Sequence, residues 1–273
     1  MIKSNCHTHT VYCDGNNTAT EMIEAAIKKG FVSLGFSGHA PMDFDNDWAM
    51  TQEKMNSYID ELHRLREEYK GELDIICGIE LDADNSVSDL SVFDYVIGSV
   101  HQFRDGVRDF PIDLSAESLE NTVKNHFGGS WIDMCEAYYK IVSDFICKIK
   151  PDVIGHFDLV TKYNENNRFF DENDCNYRKA ALGAVDKILS TLKKPIFEVN
   201  TGAMYRVGKS IPYPAPFIME YLCEKGALIT ITSDSHCTDS LDFGFEEAER
   251  YCKSFGFTKK CILTSKGIIE TDL

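Results

Sequence analysis

Residues 18–41 read TATEMIEAAIKKGFVSLGFSGHAP, and the order of events in that stretch decides the architecture. Thr18 and Glu21 stand at the spacing of a capping box, so a helix starts there and runs to Gly30, which stops it. The next run, FVSLGFS (31–37), is apolar without strict alternation, as expected of a strand buried in a parallel sheet. His39 follows just past its carboxyl end.

The same unit recurs along the chain. LDIICGIE (73–80), FDYVIGSV (93–100), DVIGHF (152–157), PIFEVN (195–200) and ALITITSD (227–234) read as further buried strands. IKSNC (2–6) and KCILTS (260–265) add one at the front and one near the end. Helical patterns lie between them. In TQEKMNSYIDELHRLREEYKG (51–71), Met55, Ile59, Leu62, Leu65 and Tyr69 share a face. Others run over 131–150 and 173–194, stopped by Pro151 and Pro195, and over 214–226 and 243–257. Seven or eight repeats of strand then helix predict a barrel-like α/β fold in a single domain covering residues 1–273. The segment 102–120 is expected to be the longest loop.

Composition narrows the partners. Against 44 acidic residues stand 28 basic ones, a formal charge of −16. Such a surface repels nucleic acid and anionic membranes. No window is apolar enough to span a bilayer, and MIKSNCHTHT lacks the features of a secretory signal, so a cytoplasmic protein is expected. The ten cysteines are scattered without a C-x-x-C pair, which reads as small buried side chains in a reducing compartment.

Polar residues gather at one level of this pattern. Of eight histidines, six stand at or just beyond a strand's carboxyl end: His7, His9, His39, His101, His156 and His236. Glu80, Glu198 and Asp234 occupy the same level. Barrel topology brings all such ends to one rim. Residues i and i+2 of a strand point to the same face, so His7 with His9, and Asp234 with His236, can each chelate one cluster. Imidazole and carboxylate together suit zinc, iron or manganese, so the rim is expected to hold two or three divalent transition-metal ions. His63, among charged residues of a helix, reads as surface, and His126 as structural. Glu198 can bind metal directly or hydrogen-bond to a ligand from behind.

HTHTVYCD (7–14), GHAP (38–41), GIELD (78–82), GSVHQF (98–103), GHFDLVTKY (155–163), FEVNTGAMYR (197–206) and TSDSH (232–236) resemble, in sequence and order, the polymerase-and-histidinol-phosphatase (PHP) superfamily of metal-dependent phosphoesterases. Within it the chain looks most like the monofunctional histidinol-phosphate phosphatases. The resemblance implies a distorted (β/α)7 barrel with its metal site at the carboxyl rim of the strands. It implies three ions: one held by His7, His9, Glu80 and Asp234, a second bridged by Glu80 to His101 and His156, and a third on Asp14, His39 and His236. Some relatives carry histidine at the place of Asp14, and the carboxylate gives that site more oxygen character.

The chemistry so implied is hydrolysis of a small phosphate monoester, L-histidinol phosphate, by hydroxide held between the Glu80-bridged ions. The metals would also resolve how so acidic a chain binds an anion. Lys162 and Arg206 are the nearest basic residues for the phosphate, with Arg168 a substitute for either, and Asp234, His236 or a metal-bound water is open as the acid that protonates the leaving oxygen. Asp105, Asp109, Asp113 and Glu117 are open to the substrate's ammonium. Competing readings are another phosphate ester or nucleotide as substrate, a non-catalytic metal-binding regulatory domain, and a binuclear amidohydrolase. The last would need a carbamate-forming lysine at a strand end, where this chain has Glu80.

Overall fold

Each parallel strand must be reached by a crossover, and the helices expected between the strands supply them. The computed structural model describes residues 2–44, 46–104 and 109–273. Strands β1 (Lys3–Asn5), β2 (Phe31–Phe36), β3 (Asp74–Leu81) and β4 (Tyr95–Gly98) come first. A small antiparallel hairpin, β5 (Gln102–Arg104) with β6 (Asp109–Pro111), follows. Next come β7 (Val153–Ile154), β8 (Ile196–Asn200) and β9 (Leu228–Thr232), then β10 (Lys259–Thr264) and β11 (Gly267–Asp272).

Seven strands form one parallel sheet in the order β1-β2-β3-β4-β7-β8-β9. The sheet rolls until its two edges meet. Thr8, just past β1, bridges in parallel to Ser235, just past β9. His9 N donates to Ser235 O at 2.8 Å, and Ser235 N donates to His7 O at 3.0 Å. The result is a nearly closed barrel of (β/α)7 type.

Helices α1 (Ala19–Lys28), α2 (Gln52–Glu68), α3 (Ala116–His126), α4 (Trp131–Ile149), α5 (Cys175–Thr191), α6 (Gly202–Val207), α7 (Pro216–Glu224) and α8 (Phe245–Ser254) complete the chain. The capping box of α1 is formed as its sequence predicts, with the Thr18 side chain on Glu21 N and the Glu21 side chain on Thr18 N. On α2 the buried face is Met55, Tyr58, Leu62 and Leu65, while Ile59 and Tyr69 are only partly covered. Tyr58 is recruited because its hydroxyl donates to Gly78 O of β3 at 2.9 Å.

Two cores result. The larger lies between sheet and helices. The smaller fills the barrel itself and comprises Cys6, Ile76, Tyr95, Ile97, Val153, Ile196, Cys261 and Leu263. Cys261 and Leu263 belong to β10, which corrects one expectation. KCILTS is not another barrel strand: β10 pairs antiparallel with β11, and this hairpin plugs the barrel from beneath. Ser33 Oγ donates to Leu263 O at 2.8 Å, and Ser265 N donates to Asp74 Oδ2 at 2.9 Å, fixing it there. The expected loop 102–120 likewise contains β5, β6 and the start of α3. All ten cysteines are unpaired.

The hairpin is also tied to the outer layer. Lys260 Nζ donates to Glu249 Oε1 of α8 at 2.7 Å, with the lysine side chain 4% and the glutamate 11% exposed. A pair this deep is costly to break from one side, because the remaining charge is left buried. Glu249→Ala is therefore expected to lower unfolding free energy by about 3–5 kcal/mol. The double replacement Glu249→Leu with Lys260→Met should recover most of that loss in urea titrations followed by circular dichroism.

Candidate metal centre

The edge closure described above sets the site. It places His7 and His9 of one edge beside Asp234 and His236 of the other. The pair His7/His9 keeps an extended spacing around bridged Thr8. The pair Asp234/His236 does not: β9 ends at Thr232, and Asp234 has φ of 47°. A left-handed turn rather than the strand pleat aims both side chains at the rim, so the spacing argument found the right residues through a different geometry. Gly15 closes the adjoining loop, where a Cβ would lie 2.5 Å from Thr10 N and 2.6 Å from the His9 carbonyl carbon. Only glycine lets the chain lie against His9 this closely.

Glu80 lies at the centre, 1% exposed. Its Oε2 is 3.3 Å from His7 Nε2, 3.6 Å from His9 Nε2 and 3.0 Å from His39 Nδ1. Its Oε1 is 3.1 Å from His156 Nε2 and 3.6 Å from His101 Nε2. Asp234 Oδ1 is 3.2 Å from His9 Nε2 and 3.6 Å from His7 Nε2. On the outer side, Asp14 Oδ2 is 3.2 Å from His236 Nε2 and 3.7 Å from His39 Nε2.

Four sets thus have ligand atoms close enough to share an ion: His7/His9/Asp234, His7/Glu80/His156, His39/Glu80/His101 and His9/Asp14/His39/His236. All nine residues expected as ligands fall in these sets. The donor chemistry fits a cation. His7 Nε2, His9 Nε2 and Glu80 Oε2 are buried without a hydrogen-bond partner, yet they face one another. Buried polar atoms of this kind need a partner, and a shared cation supplies one to all three.

Behind the cluster stand carboxylates that hold the imidazoles. Glu198, wholly buried, accepts from His156 N at 2.6 Å, Thr232 Oγ1 at 2.6 Å and Asn200 Nδ2 at 2.9 Å, and lies 2.5 Å from His7 Nδ1. Its oxygens are thereby occupied, and it acts on His7 from the far side of the ring. Asp82 does the same for His101, with Oδ2 at 2.9 Å from both its Nδ1 and its backbone N. Sequence reasoning missed Asp82. The signal was present, since Glu80 and Asp82 have the same i, i+2 spacing used for the histidine pairs.

Charge is balanced internally. Burial disfavours a charged His7, but Glu198, Glu80 and Asp234 outweigh it and raise its pKa well above the usual value. Burial likewise opposes, and Glu80 and Asp82 overcome, a charged His101, whose pKa rises to about 10. His9 goes the other way, to about 3, through burial and the neighbouring His236 and His39. Burial of Glu80 and Asp234 is outweighed by His7 together with His39 for the first and Arg206 for the second, and both carboxyls fall well below their usual range.

The three basic candidates separate. Arg206 reaches the cluster: it donates to Asp234 O at 2.8 Å and Asp234 Oδ2 at 2.7 Å, and lies 2.9 Å from His236 Nδ1. Lys162 donates to Asp113 O at 2.9 Å and Asp113 Oδ2 at 3.0 Å. Arg168 is not brought to the ligands. Its side chain is 61% exposed, lies 3.9 Å from Glu120 and covers the Phe169 ring. Of the acidic candidates, Asp105 lies outside the described residues, as does the side chain of Asp109, and Glu117 sits in the first turn of α3. His63 is exposed, and His126, also exposed, lies against Phe110.

A model of the PHP domain matches residues 5–202. The chain belongs to the PHP domain family. In sequence it is 31% identical to the "Probable histidinol-phosphatase" of Deinococcus radiodurans, over 92% of each chain. It is 26% identical to the histidinol-phosphatase of Bacillus subtilis, over 92% of this chain and 100% of that one. Among solved structures, the histidinol phosphate phosphatase of Lactococcus lactis, complexed with zinc, L-histidinol and phosphate, superposes with a TM-score of 0.69 at 19% identity, covering 98% of both chains.

Two outcomes follow for this PHP centre. Asp82→Asn should keep the fold but weaken metal retention by about 10–100-fold, read by chelator competition, because His101 loses its carboxylate. Ligand imidazoles must be neutral, and His101 carries its proton up to about pH 10 in the metal-free state. Loading therefore displaces protons, so apparent affinity should fall as pH drops from 9 to 6, with proton release visible by calorimetry in buffers of different ionisation enthalpy.

Proposed function

We propose that the protein is a metal-dependent phosphomonoesterase that hydrolyses L-histidinol phosphate to L-histidinol and phosphate. The observation that carries this reading is the convergence of nine ligand-type side chains, Glu80 central among them, in a chain of the PHP family matching histidinol-phosphatases over nearly their whole length. Two or three divalent ions of zinc, manganese or iron fit the donor set, with His7, His9, Glu80 and Asp234 on the inner side, His101 and His156 across Glu80, and Asp14, His39 and His236 outermost.

When bound, the ions supply positive charge for the phosphoryl oxygens and make water acidic enough to yield a nucleophile near neutral pH. The chain's own residues do the rest. Glu80 offers one oxygen to each side of the cluster and so spaces it. Glu198 and Asp82 fix the ring orientation of His7 and His101. Arg206 holds Asp234 and His236 in place and adds a fixed positive charge beside them. Lys162, oriented by Asp113, is the second cation available to a phosphate. The Asp234 carboxyl is held well below its usual range and has no proton to give, so the proton for the leaving oxygen is assigned to His236 or to water at the cluster.

The metal-loaded protein should release phosphate from L-histidinol phosphate with kcat/KM at least 100-fold above sugar, nucleotide and aryl phosphates, about 3 kcal/mol of differential transition-state binding. Equal rates across that panel would remove the substrate assignment. Glu80→Gln should abolish turnover and reduce bound metal while far-ultraviolet circular dichroism stays unchanged; full activity in this variant would remove its bridging role.

A further inference from the structure

The metal cluster accounts for the phosphate end of an ester, which leaves open what receives the other end. Directly against Asp14, His39 and His101 lies a cavity of about 280 Å³. Its other walls are Trp48, Pro111 and Leu114, with Asp47, Asp113 and Gln102 as the remaining polar groups. The cavity adjoins three of the expected ligands, so an ester whose phosphate sits on the cluster can extend its organic part into it.

Three features of that cavity define what it takes. The Trp48 ring stands 4.8 Å from the His39 ring at 89°, and 6.2 Å from the His101 ring, so a flat aromatic wall rises beside the ligands. Its loop is anchored: Ala49 N donates to Asn46 Oδ1 at 2.7 Å, and Met50 N donates to His39 O at 3.1 Å. Gln102 is 5% exposed and lines the cavity, yet its Nε2 is buried without a hydrogen-bond partner. A buried amide in that state wants a polar partner from whatever fills the space. Charge selects further. No lysine or arginine is among the described residues that line the cavity, and Asp47 is exposed with no described cation paired to it. A second anion would meet carboxylates there, and a cation would be welcomed.

The geometry points to Trp48, Gln102 and Asp47 as the specificity residues of the enzyme: Trp48 stacks a planar nitrogen heteroaromatic ring, Gln102 hydrogen-bonds a ring nitrogen, and Asp47 meets an ammonium group. This rests on the phosphatase reading above and adds to it the residues that choose the alcohol. An aromatic stack alone is worth about 0.5–1.5 kcal/mol beyond area burial, and a cation against an indole face contributes on the same scale.

The test uses the metal-loaded full chain and three esters: histidinol phosphate with ring and ammonium, ethanolamine phosphate with ammonium only, and glycerol 2-phosphate with neither. Trp48→Leu and Gln102→Leu should lower kcat/KM for histidinol phosphate relative to glycerol 2-phosphate by about ten-fold. Trp48→Phe should restore most of that ratio. Asp47→Asn should lower the ratio for both amine-bearing esters. Metal content is measured for each variant. An equal loss on all three esters, or no loss, would overturn the assignment, since a residue that merely props His39 slows every substrate alike.

A second measurement separates this outcome from failure of the substrate reading. In a Trp131→Phe background, Trp48 is the remaining indole, and millimolar L-histidinol should quench its fluorescence. If the parent enzyme shows no preference for histidinol phosphate, the substrate reading fails while quenching still upholds the pocket. Absence of quenching overturns the pocket whatever the kinetics.

Discussion

One carboxylate faces five imidazoles. Glu80 lies within 3.6 Å of ring nitrogens from His7, His9, His39, His101 and His156, and is almost wholly buried. Nothing in the apolar core stabilises such a gathering, because buried charge and unpaired lone pairs are both expensive. The arrangement is tolerable only if protons or cations sit between the groups. In the metal-free chain the surrounding carboxylates favour a proton on His7 and His101 and raise their pKa values, while the imidazoles lower that of Glu80. The same positions that retain protons are those a divalent ion would claim, so the cluster is a competition between the two.

The surrounding structure is organised to keep that competition local. Glu198 and Asp82 grip rings from outside, Arg206 secures Asp234 and His236, and the interior beneath is sealed by Cys261 and Leu263 of the terminal hairpin. Water can therefore reach the cluster from the rim side, where Trp48 and Asp47 stand. The apolar side chains beneath lower the local dielectric and strengthen each electrostatic contact above them.

Much of this was legible in the sequence, for physical reasons that can be named. Buried parallel strands announce themselves as apolar runs, and α/β connectivity collects their carboxyl ends, so residues as distant as His7 and His236 could be placed together beforehand, whereas the place of Asp14 beside them was implied only by the PHP resemblance. Exposed helical histidines such as His63 were separable by their neighbours. What was not legible depended on tertiary contacts. KCILTS looks like any buried strand, and only its partner β11 reveals that it plugs the barrel instead of joining it. Arg168 and Lys162 have the same local signature of a base after a rim motif, yet one is drawn to Glu120 and the other to Asp113. The left-handed turn at Asp234 carries no glycine to advertise it. Trp48 lies in an irregular loop where periodicity says nothing.

The bridge between Thr8 and Ser235 has a further consequence for how the molecule comes into being. It joins residues 227 positions apart (235 − 8), so the entropy of gathering that long a segment must be met before either edge strand finds its mate. Until then the nascent sheet carries two open borders, each a template for unwanted pairing between molecules. A chain that must wait for its last residues to close this seam spends longer exposed to aggregation than one assembled from neighbouring hairpins.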